Sequence, residues 1–207
     1  MAGYMLECVM ESTYEELLVK YLFEPLGITN AGFGMPKNMY GHGAQNNFEP
    51  NQVDNPIAIT PAGRMHLPIE EWGRFIAVTL SFKLCNELLG ITESTYNTLY
   101  QFPTNTNNVN YCYGAWLPCR REWAYNGKAF THDGSNMSNY SSAWLAPLGL
   151  ANRETLIHDS SFAAIVCTNH GLGEAASSII WDSICNVNKI AHSLGIEFDQ
   201  LKQGERT

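Results

Sequence analysis

The sequence predicts an α+β fold in which helices come first, antiparallel strands follow and one helix closes the chain. Helical periodicity dominates the first part of the chain, strand-like patterns appear after Tyr111, and helical periodicity returns after Gly173. The 207 residues suit one domain with room for a hydrophobic core. We therefore expect a single domain over residues 1–207, with residues 1–110 mainly helical and loop, and residues 111–207 forming antiparallel strands plus a C-terminal helix.

Two helices are expected at the start of the chain. The first spans Ala2 to Glu11 because its apolar residues share one side, although no Ser, Thr, Asp or Asn precedes it as an N-cap. The second follows a capping box, in which either Ser12 or Thr13 is the N-cap and a glutamate follows three residues later. Its end is predicted at Pro25 and Gly27.

The middle of the chain is expected to contain a long loop and two further helices. Residues 29–60 are rich in Asn, Gly, Pro and Gln and show little periodicity. Loops of this length inside a compact domain are usually functional or disordered. A helix is predicted from Leu67, with Pro68 at its first helical position, and a shorter one from roughly Thr92 to Tyr100.

Strand-like patterns follow, and they predict three to five antiparallel strands. Alternation begins at Tyr111, and two runs flank the Asn-Gly pair at positions 126–127, which is a strong hairpin signal. Asn139 to Leu145 and the apolar run Ser161 to Thr168 are two more strands. Apolar residues at helical spacing from Gly173 to Leu194 predict the closing helix.

Charge and composition argue against several classes of function. The net charge of -8 disfavours non-specific binding to nucleic acid or to an anionic membrane surface. No apolar run approaches the ~18 residues that a membrane span needs. The six cysteines contain no C-x-x-C pair and the six histidines no H-E-x-x-H pattern. We therefore expect buried free thiols, no metal and no cofactor, while a disulfide and the cellular compartment stay open.

The most informative short stretch is KAFTHDGSNMSNYSSAWLAP, residues 128–147, which places His132, Asp133, Gly134 and Ser135 between two strand-like runs. A glycine at this place lets a ligand approach the backbone closely. The N–H of Ser135 can point at a developing oxyanion, and His132 can supply a proton. The same residues also suit an ordinary turn.

Longer segments resemble a known family in sequence order. HDGSN and YSSAWLAP, followed by FAAIVCTNHG, are similar to the third-motif strand pair of the serine β-lactamase-like family. That family includes class C β-lactamases, D-alanyl-D-alanine carboxypeptidases and related esterases. TYEELLVKYLFEPLGITNAGFG and TPAGRMHLPIEEWGRFI resemble its helical segments, and AGYML resembles the run after its Tyr-x-Asn motif. The resemblance covers nearly the whole chain and implies a β-lactamase/transpeptidase-like fold.

The resemblance implies acyl transfer to water through a serine ester, on a β-lactam, an ester or an amide. His132 takes the Lys/His place of the third motif, Gly134 takes its glycine, and the backbone N–H of Ser135 takes half of the oxyanion hole. Histidine at this place is more typical of the esterase-like and peptidase-like branches. The candidate substrate-binding residues are Asp133, Asn136 and His42.

Two motifs of the family are absent from these 207 residues. No lysine has a serine three residues before it, and no tyrosine has an asparagine two residues after it. We therefore expect a C-terminal part of such a hydrolase, inactive by itself, with an unpaired sheet edge and an exposed apolar face. The expected partners are a small-molecule or peptide substrate and either the missing N-terminal half or a second copy of the chain. The alternative is a non-catalytic binding or scaffolding remnant of the fold.

Overall fold

Helices fill the first half of the chain and a four-stranded sheet follows. The structure, a computed structural model, describes residues 1–37, 39–103, 110–149 and 161–174. Its helices are α1 (Ala2–Met10), α2 (Tyr14–Leu18), α3 (Glu24–Leu26), α4 (Thr60–Gly63), α5 (Ile69–Leu80), α6 (Phe82–Leu89) and α7 (Glu93–Thr98). Its strands are β1 (Gly32–Phe33), β2 (Gly41–His42), β3 (Pro50–Asn51), β4 (Met65–His66), β5 (Leu117–Arg120), β6 (Lys128–Ser135), β7 (Tyr140–Ala146) and β8 (Phe162–Thr168). The predicted α+β class is confirmed.

The larger sheet has the order β5-β6-β7-β8, and every neighbouring pair is antiparallel. Strand β6 extends beyond its pairing with β5. The β5 register ends at Leu117 opposite Thr131, whereas β7 pairs with β6 as far as Ser135. Residues 132–135 therefore form a strand edge that β5 does not cover, and this edge contains the predicted third motif.

The hydrophobic core lies between one face of this sheet and α5. Residues directly opposite each other on neighbouring strands share a face, so Phe130 and Leu145 lie side by side. They form a buried cluster with Ala143, Trp116 and Ile76 of α5. This packing holds β6 in place immediately before the uncovered edge.

The start of α2 selects one of the two predicted capping frames. The Thr13 hydroxyl accepts a hydrogen bond from the Glu16 N–H at 3.2 Å, and the Glu16 carboxylate accepts one from the Thr13 N–H at 2.9 Å. Ser12 instead donates its hydroxyl to that carboxylate at 2.8 Å. A π-helical turn then leads into α3, which ends at Gly27 with a φ of 62°. Pro25 lies inside this last helical segment rather than after it.

A carboxylate with little exposed surface fixes the turn after Gly27. Glu71 of α5 accepts hydrogen bonds from the backbone N–H groups of Thr29 and Asn30 at 3.1 Å, and from the Asn30 side-chain amide at 2.9 Å. Burial raises the pKa of Glu71, but these hydrogen bonds together bring the pKa below its usual value. The carboxylate therefore stays charged although it is enclosed, and its hydrogen bonds connect the turn after α3 to α5.

The predicted long loop, residues 29–60, contains more regular structure than expected. Strand β1 pairs with β4, and β2 pairs with β3, over two residues each. Short 3₁₀ turns cover Ala44–Asn46 and Ile57–Ile59. The prediction of an unpatterned loop is wrong because two-residue ladders leave no periodic signal in the sequence.

The boundaries of the central helices also differ from the prediction. Pro68 is the N-cap of α5 rather than its first helical residue. Helix α6, which starts two residues after Leu80, was not predicted from the sequence. The Ser81 hydroxyl accepts a hydrogen bond from the Leu84 N–H at 3.3 Å and so caps a new helix after the chain bends.

The predicted strand beginning at Tyr111 is wrong. The chain makes a tight turn there, with Ala115 at a φ of 60° and the Cys112 N–H bonded to the Trp116 carbonyl at 2.8 Å. A local turn of this kind overrides the alternating pattern, and β5 begins only after it. The Asn-Gly turn at 126–127 does form, with both residues at positive φ, but only the run after it is a strand.

The described cysteines are free, but the prediction that the free thiols are buried is wrong for several of them. Among the described cysteines only Cys85 and Cys112 are buried, and burial raises the pKa of both thiols. Cys8 and Cys167 are exposed. Cys185 lies outside the described residues.

The predicted closing helix, Gly173 to Leu194, lies outside the described residues after Glu174. Among the helices of the described ranges, none has both the length and the apolar character needed to cross a bilayer.

Candidate active site

The uncovered edge of β6 directs backbone N–H groups outward. The Asn136 N–H donates to the Asn139 carbonyl at 3.3 Å, so Asn136 and Asn139 form a hydrogen-bonded pair that continues the β6–β7 ladder. Hydrogen-bonded and non-hydrogen-bonded pairs alternate along an antiparallel ladder. The N–H of Gly134 therefore points toward β7, whereas that of Ser135 points toward the edge that β5 leaves open. An N–H in this position can stabilise negative charge on a substrate oxygen.

His132 lies on the same edge and is held by a turn that precedes the sheet. Its Nδ1 atom is 2.7 Å from the carbonyl oxygen of Ala115. Its ring meets the rings of Tyr111 and Trp116 edge-on, with centroids 5.7 and 6.4 Å away. Trp116 is buried, so its ring gives the imidazole a fixed packing partner. The His132 side chain itself is exposed to solvent.

The hydrogen bond to Ala115 fixes which imidazole nitrogen carries the proton. A carbonyl oxygen can only accept a hydrogen bond, so Nδ1 of His132 must be the donor. In the neutral ring, Nε2 is then left without a proton. His132 therefore presents a proton acceptor when neutral and a donor only when it is protonated.

We expect the neutral side chain of His132 to show a pyrrole-type Nδ1 and a pyridine-type Nε2 in ¹⁵N NMR spectra recorded in alkaline solution. His170 is a matched control of opposite tautomer, because its Nδ1 accepts a hydrogen bond from the Leu172 N–H at 3.1 Å. An Nε2-protonated neutral His132 would contradict the hydrogen bond from its Nδ1 to Ala115.

The turn that holds His132 is itself tightly constrained. The Ala115 N–H donates to the Cys112 carbonyl at 2.9 Å, and the Gly114 N–H donates to the Leu99 carbonyl at 2.9 Å. A Cβ atom on Gly114 would lie 2.7 Å from that Leu99 oxygen, so only glycine fits. The positioning role of Ala115 was not predicted, because a backbone carbonyl leaves no signal in the sequence.

Asp133 is not brought together with His132. Successive side chains of a strand alternate between faces, so Asp133 lies on the opposite face of β6. Its carboxylate accepts a hydrogen bond from the Ser142 hydroxyl, 2.6 Å away on β7, and Ser142 is buried. This contact ties two strands together and leaves the substrate-binding role of Asp133 a prediction.

Asn136 and the Ser135 hydroxyl are engaged in the β6–β7 turn. The side-chain oxygen of Asn136 accepts from the N–H groups of Ser138 at 3.1 Å and Asn139 at 2.8 Å. The Ser135 hydroxyl accepts from the Met137 N–H at 3.0 Å. These bonds fix the turn at the end of the open edge, whereas the predicted contact of Asn136 with substrate remains a prediction.

His42 packs against the same turn from the long segment before α5. Its N–H lies 3.0 Å from the Ser138 carbonyl and 2.9 Å from the Asn169 carbonyl, while its Nδ1 contacts the Phe48 carbonyl at 2.8 Å. The contacts of His42 thus stabilise the end of the sheet that contains Ser135. Its predicted contact with a substrate also stays a prediction.

Comparison with known proteins connects this geometry to a fold. No protein-family model matches the sequence, and no curated protein matches it either. Solved structures do match. A penicillin-binding protein from Bacillus halodurans has a TM-score of 0.61 at 13% identity over 88% of this chain. A D-stereospecific amidohydrolase from Streptomyces sp. has a TM-score of 0.56 at 18% identity over 82% of it. A class C β-lactamase from Rhodobacter sphaeroides has a TM-score of 0.55 at 12% identity over 89% of it.

The chain has the β-lactamase/penicillin-binding-protein fold. This confirms the fold that the sequence resemblance implies. At these identities the similarity establishes the fold alone. The chain also spans only about half the length of the three matched proteins, at 52%, 48% and 57% respectively. Any activity of this chain must therefore be inferred from its own residues.

Proposed function

We propose that the chain forms one side of the active site of a β-lactamase-related serine hydrolase that transfers an acyl group to water from an ester, amide or β-lactam. The observation that carries this proposal is the open edge of β6, where His132 and the outward N–H of Ser135 lie together on a β-lactamase-like fold. The attacking serine and its base would come from residues outside this 207-residue sequence, since it contains neither motif.

Each group on the edge has a defined chemical task in this reaction. A serine hydroxyl adds to the substrate carbonyl, the leaving group departs, and water then releases the acyl group. The Ser135 N–H donates to the oxyanion that forms in each addition step. Neutral His132 accepts a proton or a hydrogen bond through Nε2, and protonated His132 donates one to an anionic substrate group.

Two surfaces of the chain support assembly with a further segment. The first is α1, where Tyr4 is 70% and Val9 79% exposed, and only Gly3 is buried. The second is the outer edge of β8, which pairs with no other described strand. An apolar cavity of about 220 Å³ lies between α5 and this strand, where Ala163 and Ile165 line it. Exposed apolar surface and open strand edges usually mark interaction sites.

The second candidate function is a non-catalytic binding domain that keeps the fold. The absence of Ser-x-x-Lys and Tyr-x-Asn from the sequence favours it, because an oxyanion donor and a histidine form no acyl-enzyme without a nucleophile. Such a domain would bind an ester, a peptide or a β-lactam at the β6 edge without turning it over.

Three measurements test these functions. First, the purified chain is tested with a fluorophosphonate probe and with chromogenic ester and cephalosporin substrates, and we expect neither labelling nor turnover. Second, the coding DNA upstream of Met1 is read for an in-frame Ser-x-x-Lys. Third, the longer product is expressed, and we expect His132→Ala to lower its kcat/KM by about 10²-fold or more. His170→Ala is the control histidine.

Each possible result of these measurements leads to a different conclusion. Turnover by the 207-residue chain above its His132→Ala variant would overturn the requirement for an outside nucleophile. A stop codon upstream with no Ser-x-x-Lys would favour the binding domain. A longer product that hydrolyses substrate equally well with His132→Ala would remove this histidine from the mechanism.

A further inference from the structure

A pair of cations lies at the start of β6, away from the candidate active site. Arg120 of β5 and Lys128 of β6 are direct partners in the antiparallel register. Directly opposite residues project from the same face of a sheet, so the two cationic side chains lie next to each other. Lys128 precedes His132 by four residues, which is about 13 Å along a strand.

This pair is unfavourable by itself. Like charges directly opposite each other destabilise an antiparallel pair. Within the described ranges, the ion pairs join other residues, and neither Arg120 nor Lys128 has a carboxylate partner. Glu122 lies in the same β5–β6 connection without forming an ion pair with either. The chain carries 20 acidic and 12 basic residues, so two adjacent unpaired cations are not a result of general basic composition.

The pair opens onto a cavity of about 610 Å³, which we name the hairpin-end cavity. Its lining consists of Pro118, Cys119, Arg120, Asn126, Gly127, Lys128 and Leu148. The two cationic side chains thus share the cavity with apolar surface from Pro118 and Leu148. This combination suits a ligand that has a charged oxyanion group at one end and an apolar body at the other.

The guanidinium of Arg120 is exposed and lies close to the turn between the strands. A Cβ atom on Gly127 would lie 3.5 Å from the Nη2 atom of Arg120, which is an ordinary contact distance. The turn is fixed by the Arg121 N–H, which donates to the Gly127 carbonyl at 3.1 Å. The guanidinium of Arg121 does not join the pair, because it lies over the Trp144 ring at 4.5 Å.

We propose that the hairpin-end cavity binds a small organic anion, in which a phosphate monoester or carboxylate is held between Arg120 and Lys128. Arg120 supplies two parallel N–H donors to two oxygens of the anion. Lys128 supplies a point charge, and Leu148 contacts the apolar part of the ligand. The anion removes the repulsion between the two cations, so binding and sheet stability are linked.

The test is a thermal-shift and NMR titration of the 207-residue chain with phenyl phosphate, inorganic phosphate, benzoate and neutral benzyl alcohol. We expect phenyl phosphate to raise Tm by roughly 2 °C or more at ten times its Kd, and to shift the backbone signals of residues 118–128. We expect inorganic phosphate to bind at least about tenfold more weakly and benzyl alcohol not to bind. Benzoate distinguishes a carboxylate site from a phosphate site.

Variants complete the test. The double variant Arg120→Gln/Lys128→Gln should lose at least about tenfold in affinity for phenyl phosphate, whereas the matched control Lys20→Gln/Lys83→Gln should keep it. Without ligand and at low salt, Lys128→Gln should raise Tm by roughly 1–4 °C, because one of two facing like charges is removed. No saturable binding to the wild-type chain, or equal binding by both double variants, would overturn the proposal.

Discussion

Leu145→Ala is expected to lower the free energy of unfolding by about 2–5 kcal/mol. Leu145 has no exposed surface, and it packs beside Phe130 and against Ile76 in the main core. Truncation to alanine removes buried methyl groups and leaves a cavity that the rigid sheet fills only in part. Urea unfolding followed by circular dichroism measures the change as a shift in midpoint at constant slope.

The control for this experiment is Leu88→Ala on α6. Leu88 is 42% exposed, so its truncation should change stability by no more than about 0.5 kcal/mol. A loss at Leu145 as small as that at Leu88 would show that this face of the sheet is not the core. Because Phe130 precedes His132 by two residues on the same face, loosening this core should also broaden the NMR signals of His132.

Gly171→Ala should destabilise the chain by about 1–3 kcal/mol. A Cβ atom at this position would lie 2.1 Å from the Met137 carbonyl oxygen, which belongs to the β6–β7 turn. The backbone must therefore shift, and the bond from the Gly171 N–H to the His42 carbonyl at 2.8 Å is strained or lost. We expect the backbone signals of His42 to move as the segment before α5 separates from the sheet end.

Gly73→Ala is the opposite control. Gly73 lies inside α5, and a Cβ atom there would make an ordinary contact of 3.9 Å with Ile165. Alanine is favoured over glycine in a helix interior by roughly 0.5–1 kcal/mol, so this variant should be slightly more stable than the parent. If both glycine variants changed stability equally, the tight packing at Gly171 would be refuted.

Local sequence signals predicted the parts of the fold that depend on neighbouring residues. Strands β7 and β8 follow from their apolar and alternating patterns, and Gly27 ends the second helical segment because glycine adopts positive φ easily. The capping box was found from residue spacing alone. The choice of Thr13 over Ser12 was not, because both frames satisfy the pattern and only the backbone geometry distinguishes them.

The sequence failed where a distant partner or a single turn decides the conformation. The alternation from Tyr111 suggested a strand, yet Ala115 at positive φ turns the chain and brings its carbonyl to His132. The two-residue ladder of β2 and β3 belongs to a segment that packs on the β6–β7 turn, roughly 90 residues along the chain. No periodic pattern encodes such contacts.

The α+β class, the resemblance to a β-lactamase-like fold and the residue types at positions 132–135 can all be read from the 207 residues. Which groups of this motif face outward depends on how the strands pack. The register of β6 against β5 and β7 exposes the Ser135 N–H, and the turn at Ala115 sets the proton of His132 on Nδ1. The physical reason is that side-chain pattern and spacing are local properties, whereas strand edges and backbone hydrogen bonds arise only when segments far apart in the chain pack together.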